Sequence, residues 1–165
     1  ANSLAASAAY WIGCSASEIY VTPGGEVGSI GVWQAHFDYS QAFAAEGIQP
    51  TLISAGKYKV EGNPYAPLDE EAQGFMQSRV DDYYASFTKA VARGRRVPIA
   101  QVREGMGQGR VLGADEAQAQ GMVDEVATFD EVVRKMRRDA RSSARPKASR
   151  LAQARRELEI FGAEA

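Results

Sequence analysis

Apolar and polar positions along this chain change period several times, and each change marks an element. The opening run LAASAAYWIGCSAS, from Leu4 to Ser17, is mostly small residues and predicts a short, closely packed helix. EIYVTP follows with β-branched and aromatic residues, a strand stopped by Pro23 and the Gly24-Gly25 turn. VGSIGV is apolar but punctuated by glycine, which predicts a tight loop beside a strand or helix end. Asp38 stands as an N-cap before YSQAFAAEG, a helix with Gly47 at its end. IQPTLISAG predicts a second strand, and KYKVEGNPYAPL an irregular loop with two prolines.

The longest periodic segment runs from about Asp69 to Arg93. Ala72, Phe75, Met76, Val80, Tyr83, Tyr84, Phe87 and Val91 recur at helical spacing and form one stripe. Its first turn is acidic and its last basic, both matching the helix dipole, and Gly94 is expected to close it. Pro98 opens a further short helix ending near Gly105 to Gly109. RVLG predicts a brief strand, ADEAQAQG a helix, MVDEVA a strand, and FDEVVRKMRRDAR a final amphipathic helix. Strands alternating with helices predict an α/β layered domain. SSARPKAS, after Arg141, reads as a linker, dividing a domain over 1–141 from a basic helical tail over 142–165. The domain starts on a buried-looking helix with no strand before it and has few strands for its size. Part of the fold is therefore expected to come from outside these residues.

Charge sharpens the division. Residues 1–133 hold nine Lys and Arg against seventeen Asp and Glu, a balance of −8, whereas 134–165 hold ten against four, a balance of +6. The tail is thus either a solvated basic helix or a docking segment for an acidic partner. A hydrophobic fraction of 45% is that of a globular protein, and no apolar run reaches the ~18 residues of a membrane span. The first dozen residues lack the basic lead-in of a secretory signal. One cysteine, Cys14, excludes an intrachain disulfide and a Cys-rich zinc site.

The candidate chemistry is narrowed by what is scarce. One histidine, His36, and no acidic cluster with ligand spacing argue against a metal site and against a Ser-His-Asp triad. GGEVGSIG has the glycine content of a phosphate loop without its lysine or spacing, so no nucleotide cofactor is expected. Ser7, set among alanines, is either a helix cap or a nucleophile with open space around it. A serine hydroxyl needs a base, and a lysine deprotonated by burial can serve. Lys57 and Lys59 in SAGKYKVEG lie just after a predicted strand, and strand alternation puts both on one face.

Five segments, AASAAYW, VTPGGEVGSIGV, SAGKYKVEGNPYAPL, FTKAVARGRRVP and GRVLGADEAQAQGMVDEV, resemble in order and spacing the signal peptide peptidase A family. The resemblance covers about Asn2 to Met136 and is nearest to the bacteriophage branch of minor capsid or head-maturation proteases. It implies a serine peptidase of ClpP/crotonase-like fold, of which this chain would be the C-terminal, dyad-bearing half. A further α/β half that would supply the second oxyanion donor is not among these residues. Carried over by motif, the nucleophile is Ser7 and the general base Lys59, which closes Gly-x-aromatic-Lys, with Lys57 the fallback. Ser29 is implied as a residue that orients the lysine, and the Ala8 N–H as an oxyanion donor. The resemblance further implies a homo-oligomer whose neighbouring subunits complete sites, and a peptide or protein substrate. Capsid, portal or scaffold proteins are implied partners, without metal, cofactor or nucleic acid. The implied setting is the host cytoplasm or phage procapsid, or, in the alternative, a bacterial membrane-associated peptidase that degrades signal peptides. A non-catalytic head-assembly protein and a crotonase-like acyl-CoA-binding domain are the readings from other classes.

Overall fold

In the computed structural model, which describes residues 1–142 and Arg155, the opening small-residue run is divided at Ser7. Leu4–Ala6 is strand β1, and Ala8–Gly13 is helix α1. The expected helix from Leu4 is therefore corrected. Alanine accepts either conformation, and the backbone ladder that β1 forms with a later strand decides for extended chain. Tyr20–Val21 is β2 and Glu26–Gly28 is β3, so the predicted glycine loop begins only at Ser29. Ser40–Ala45 (α2), Glu70–Arg95 (α3) and Ile99–Glu104 (α4) follow. A 3-10 turn over Met106–Gly109 leads into β4 (Val111–Gly113), α5 (Ala114–Ala119), β5 (Glu125–Val126) and a last helix, α6, over 129–142. The architecture is mixed α/β. The linker and tail readings beyond 142 lie outside the described residues.

Two small sheets carry the fold. One has the order β1-β3-β4, with Ala5 opposite Val27 in parallel and Val27 opposite Leu112 in antiparallel pairing. The other pairs β2 with β5 in parallel, Val21 opposite Val126. Tyr10, Val27, Phe87, Val91, Met106 and Met122 pack between them with no more than 1% of their surface exposed. Tyr10 on α1 spends its buried hydroxyl on the Met122 carbonyl, 2.7 Å away, so no polar atom is left unpaired.

The long helix begins as expected, with the Asp69 carboxylate accepting from the Ala72 N–H over 2.7 Å. Its end departs from expectation. Gly94 stays helical because a side chain there would overlap the Cys14 carbonyl, and Arg96 takes the left-handed cap position, φ 57° and ψ 41°. Arg95 then reaches back and grips Asp124 with two bonds of 2.9 Å, while its Nε donates to the Gly121 carbonyl. Asp124 also accepts from the Ile19 N–H, so one carboxylate ties α3 to the ends of β2 and β5.

The α3 stripe is covered unevenly, with Ala72 buried in its first turn. Phe87 and Val91 are buried, but Phe75 and Tyr83 stand more than half exposed. The segment 31–68 runs beside the uncovered part. It holds α2 but no strand, which corrects the reading of IQPTLISAG: none of the described strands pairs with it, and Ile53 is 96% exposed. The N-cap of α2 is Tyr39 and not Asp38 as expected, although the Asp38 carboxylate still accepts from the Ser40 N–H.

Candidate active site

Ser7 occupies the single residue between β1 and α1, and its backbone is unusual. At φ 53° and ψ −124° it lies in a region that side-chain-bearing residues seldom enter. The turn is held from both sides: Ser7 N–H donates to the Gly28 carbonyl at 2.7 Å, and the Ser7 carbonyl accepts from the Trp11 N–H at 2.9 Å. A sharp strand-to-helix turn of this kind thrusts a hydroxyl outward, the geometry of a nucleophile elbow. The competing role fails on inspection. Ser7 stands at the N-cap position of α1 but makes no capping hydrogen bond with its side chain.

The hydroxyl faces a cleft of about 540 Å³. One wall is aromatic, Trp11 stacked on Phe87 with ring centroids 4.7 Å apart and planes 4° from parallel, extended by Tyr83. The other is formed by Ser29, Gly31, Val32 and Trp33 with Gln108 and Gly109. Ala8, exposed at the first turn of α1, also lines it, and its N–H points from a helix start without an intrahelical acceptor. The Ser7 and Ser29 amides are already engaged, with Gly28 and Arg110 carbonyls respectively.

Ser29 is brought into the same cleft as Ser7 by a second strained turn. Its φ is 55°, and Gly28 before it has φ 125° with the Arg110 carbonyl so close that a Cβ would come within 2.7 Å of it. The neighbouring wall is also left-handed: Met106, Gly107, Gln108 and Gly109 all have positive φ. The GMGQG run was legible as a turn in the sequence. That it forms a cleft wall was not, because its approach to Gly31 is a contact between residues almost 80 positions apart. Tyr83 and Phe87 were legible only as apolar stripe residues, and Trp11 only as part of the AASAAYW segment.

The two lysines lie elsewhere. Lys57 bonds the Glu71 carboxylate at 3.2 Å, at the first turn of α3, whereas the Ser7 cleft meets α3 at Tyr83 and Phe87. At about 1.5 Å per helical residue, Glu71 and Tyr83 are separated by roughly 18 Å. Lys59, two residues on, is exposed and does not line the Ser7 cleft. Lys57 is held above the usual lysine range, first by its bond to the Tyr58 hydroxyl and then by Glu71. His36 is half-buried and bonded through Nε2 to the Asn63 carbonyl at 3.0 Å. Among the described residues no group of His, Cys, Asp and Glu is placed to hold a metal ion.

A serine on a strained turn thus lines a cleft with three tryptophan and phenylalanine rings, Trp11, Trp33 and Phe87. Residues 1–143 match the profile of peptidase family S49. The chain belongs to that family. It is 33% identical over 145 residues to capsid assembly protease C of Escherichia phage lambda, covering 87% of this chain and 33% of that protein. Over 91 residues it is 37% identical to head-tail preconnector protein GP5 of Enterobacteria phage P21, covering 55% and 18%. Protease 4 of Haemophilus influenzae is 28% identical over 134 residues, covering 81% and 22%. The chain spans a third or less of the length of these three relatives. The family resemblance drawn from the ordered motifs is thereby borne out.

Proposed function

We propose that this chain carries the Ser/Lys dyad of a serine endopeptidase that processes capsid or scaffold proteins during phage head maturation. The observation that carries the reading is Ser7 itself: a strained residue without a capping bond, lining a cleft of about 540 Å³. Strain of this kind costs about 1–3 kcal/mol and persists where the surrounding structure has a use for it. Ser7 Oγ attacks the peptide carbonyl and passes its proton to Lys59. The tetrahedral oxyanion is met by the Ala8 N–H, a donor worth about 3–4 kcal/mol in such sites. The lysine ammonium then protonates the departing amine, and water hydrolyses the acyl-enzyme with Lys59 again taking the proton. Ser29, in the same cleft, orients the incoming amine.

Because the K-Y-K run is fastened at the first turn of α3 while the Ser7 cleft meets that helix at Tyr83 and Phe87, the dyad forms between copies, the 34–68 segment of one chain reaching the Ser7 cleft of the next. The exposure of Phe37 and Ile53 on that segment supports a surface meant to be covered. The fold in this reading is the C-terminal half of a ClpP/crotonase-like domain over 1–141, with the basic tail at 142–165 a docking segment for head proteins. The resemblance to two phage head proteins supports the host cytoplasm and procapsid as the setting.

A fluorophosphonate probe tests the nucleophile. Labelling of the complete protein at Ser7, abolished by Ser7→Ala, is the expected result. A correctly folded, assembled protein that takes up no probe and cleaves no unstructured protein substrate overturns the enzyme in favour of a non-catalytic head component.

A further inference from the structure

Three residues outside the Ser7 cleft bear on which lysine of the K-Y-K run does the chemistry. Lys57 Nζ donates to the Tyr58 hydroxyl at 2.7 Å and to Glu71 Oε1 at 3.2 Å. The Tyr58 hydroxyl donates to that same oxygen at 2.8 Å, and the ammonium lies 4.4 Å from the Tyr58 ring centroid. Glu71 is in the first turn of α3, which Asp69 caps independently. A closed triangle thus fastens the turn 56–59 to a helix end that is itself fixed.

The fastening is repeated further along. Gly62, at φ 64°, lies against the side chain of Met76, where any Cβ would overlap it. Between the two anchors the backbone closes turn after turn, Lys59 N–H to Gly56, Glu61 N–H to Tyr58 and Asn63 N–H to Val60, each at 3.2 Å. Of the three residues of the run, Lys59 alone engages nothing with its side chain among the described residues.

We infer that Glu71 is a positioning residue for Lys59. By holding Lys57 and Tyr58 together, it sets the roll of the turn so that Lys59, and not Lys57, is presented to the nucleophile. The inference rests on the peptidase reading above and deepens it. A lysine bonded to a phenol and a carboxylate stays an ammonium and has no lone pair with which to take a proton. A base on an unfastened turn loses alignment, and a misplacement of about 1 Å costs as much as 100-fold in rate. Stability does not explain the triangle, since its ion pair is more than 60% exposed on both sides and such pairs add little.

Two measurements test it. Competitive acetylation of the folded chain, read by mass spectrometry, needs no enzymatic activity. Lys59 should react several-fold faster than Lys57, because the bonded ammonium is protected, and Glu71→Ala should erase most of that difference. In the complete protein, Glu71→Ala should lower kcat about tenfold or more, leave KM within about twofold, and shift the rising limb of the pH profile. Glu71→Asp should restore part of the loss, and Tyr58→Phe, which keeps the ring, should give an intermediate value. Equal acetylation of both lysines in the unaltered chain overturns the positioning role. So does a Glu71→Ala enzyme with unchanged kcat and pH profile beside an inactive Lys59→Ala, though Lys59 then stands as the base. An active Lys59→Ala overturns the base assignment and this inference together.

Discussion

Ser7 and Gly28 share one hydrogen bond, 2.7 Å from the Ser7 N–H to the Gly28 carbonyl, and both residues have positive φ. Each strained residue is held by the other's strand. Gly28 can take φ 125° only without a side chain, and its position fixes the strand end from which Ser7 turns outward.

That relationship makes Ser7 a place where function and stability oppose each other. Ser7→Gly relieves the backbone and should stabilise the protein by about 1 kcal/mol while abolishing probe labelling. Ser7→Ala should also abolish labelling without that gain. Urea unfolding checks this: a higher midpoint at unchanged m for the glycine variant alone is expected, and equal midpoints for all three proteins contradict it.

Gly28→Ala and Gly109→Ala separate crowding from backbone strain. A Cβ at Gly28 meets the Arg110 carbonyl at 2.7 Å in a buried site, whereas one at Gly109, φ 94°, meets nothing within 4 Å. Gly109→Ala should cost about 1–2 kcal/mol, the price of its φ alone. Gly28→Ala should cost clearly more and displace Ser7, so that probe labelling slows in this variant and not in the other.

Acid should loosen the clasp between Arg95 and Asp124. The Arg95 bonds, chiefly, hold the Asp124 carboxyl below its ordinary range despite some burial. A depressed folded-state value means that this stabilisation is fully present above the unfolded carboxylate pKa of ~4 and is lost as pH falls through the lower folded value. Asp124→Asn should therefore be less stable at neutral pH, with a shallower loss of stability below pH ~4 than the unaltered protein. Melting temperatures across pH 2 to 7 decide it, parallel curves counting against the clasp.

Association should be measurable. Phe37 is 63% and Ile53 96% exposed, on the segment proposed to reach a neighbouring copy. Sedimentation should show concentration-dependent assembly that Ile53→Lys weakens. Mixing inactive Ser7→Ala and Lys59→Ala copies of the complete protein should restore part of the activity, because some interfaces then pair an intact serine with an intact lysine. No recovery after verified mixing would place the dyad within one chain.

Much of this protein was settled locally, and local chemistry is what a sequence displays. The span of α3 followed from its stripe and from its acidic first and basic last turns, since helical bonds join near neighbours. The brief strands at Tyr20, Val111 and Glu125 followed from apolar runs bounded by turn residues. Motif order pointed to the family and made Ser7 and the K-Y-K run the candidates. What lay beyond reach depended on residues distant in the chain. Leu4–Ala6 became a strand only because Glu26–Gly28 offered a ladder, and IQPTLISAG did not because no described strand pairs with it. Likewise Gly94 was needed inside α3 for its contact with Cys14, not after it as a cap. The elbow at Ser7 is a backbone angle imposed by Gly28, and the separation of Lys57 from the Ser7 cleft follows from its bond to Glu71 at the far end of a helix. Spacing along a chain orders such residues but does not measure the distance between them; the packing of α1 and α3 against the sheet does.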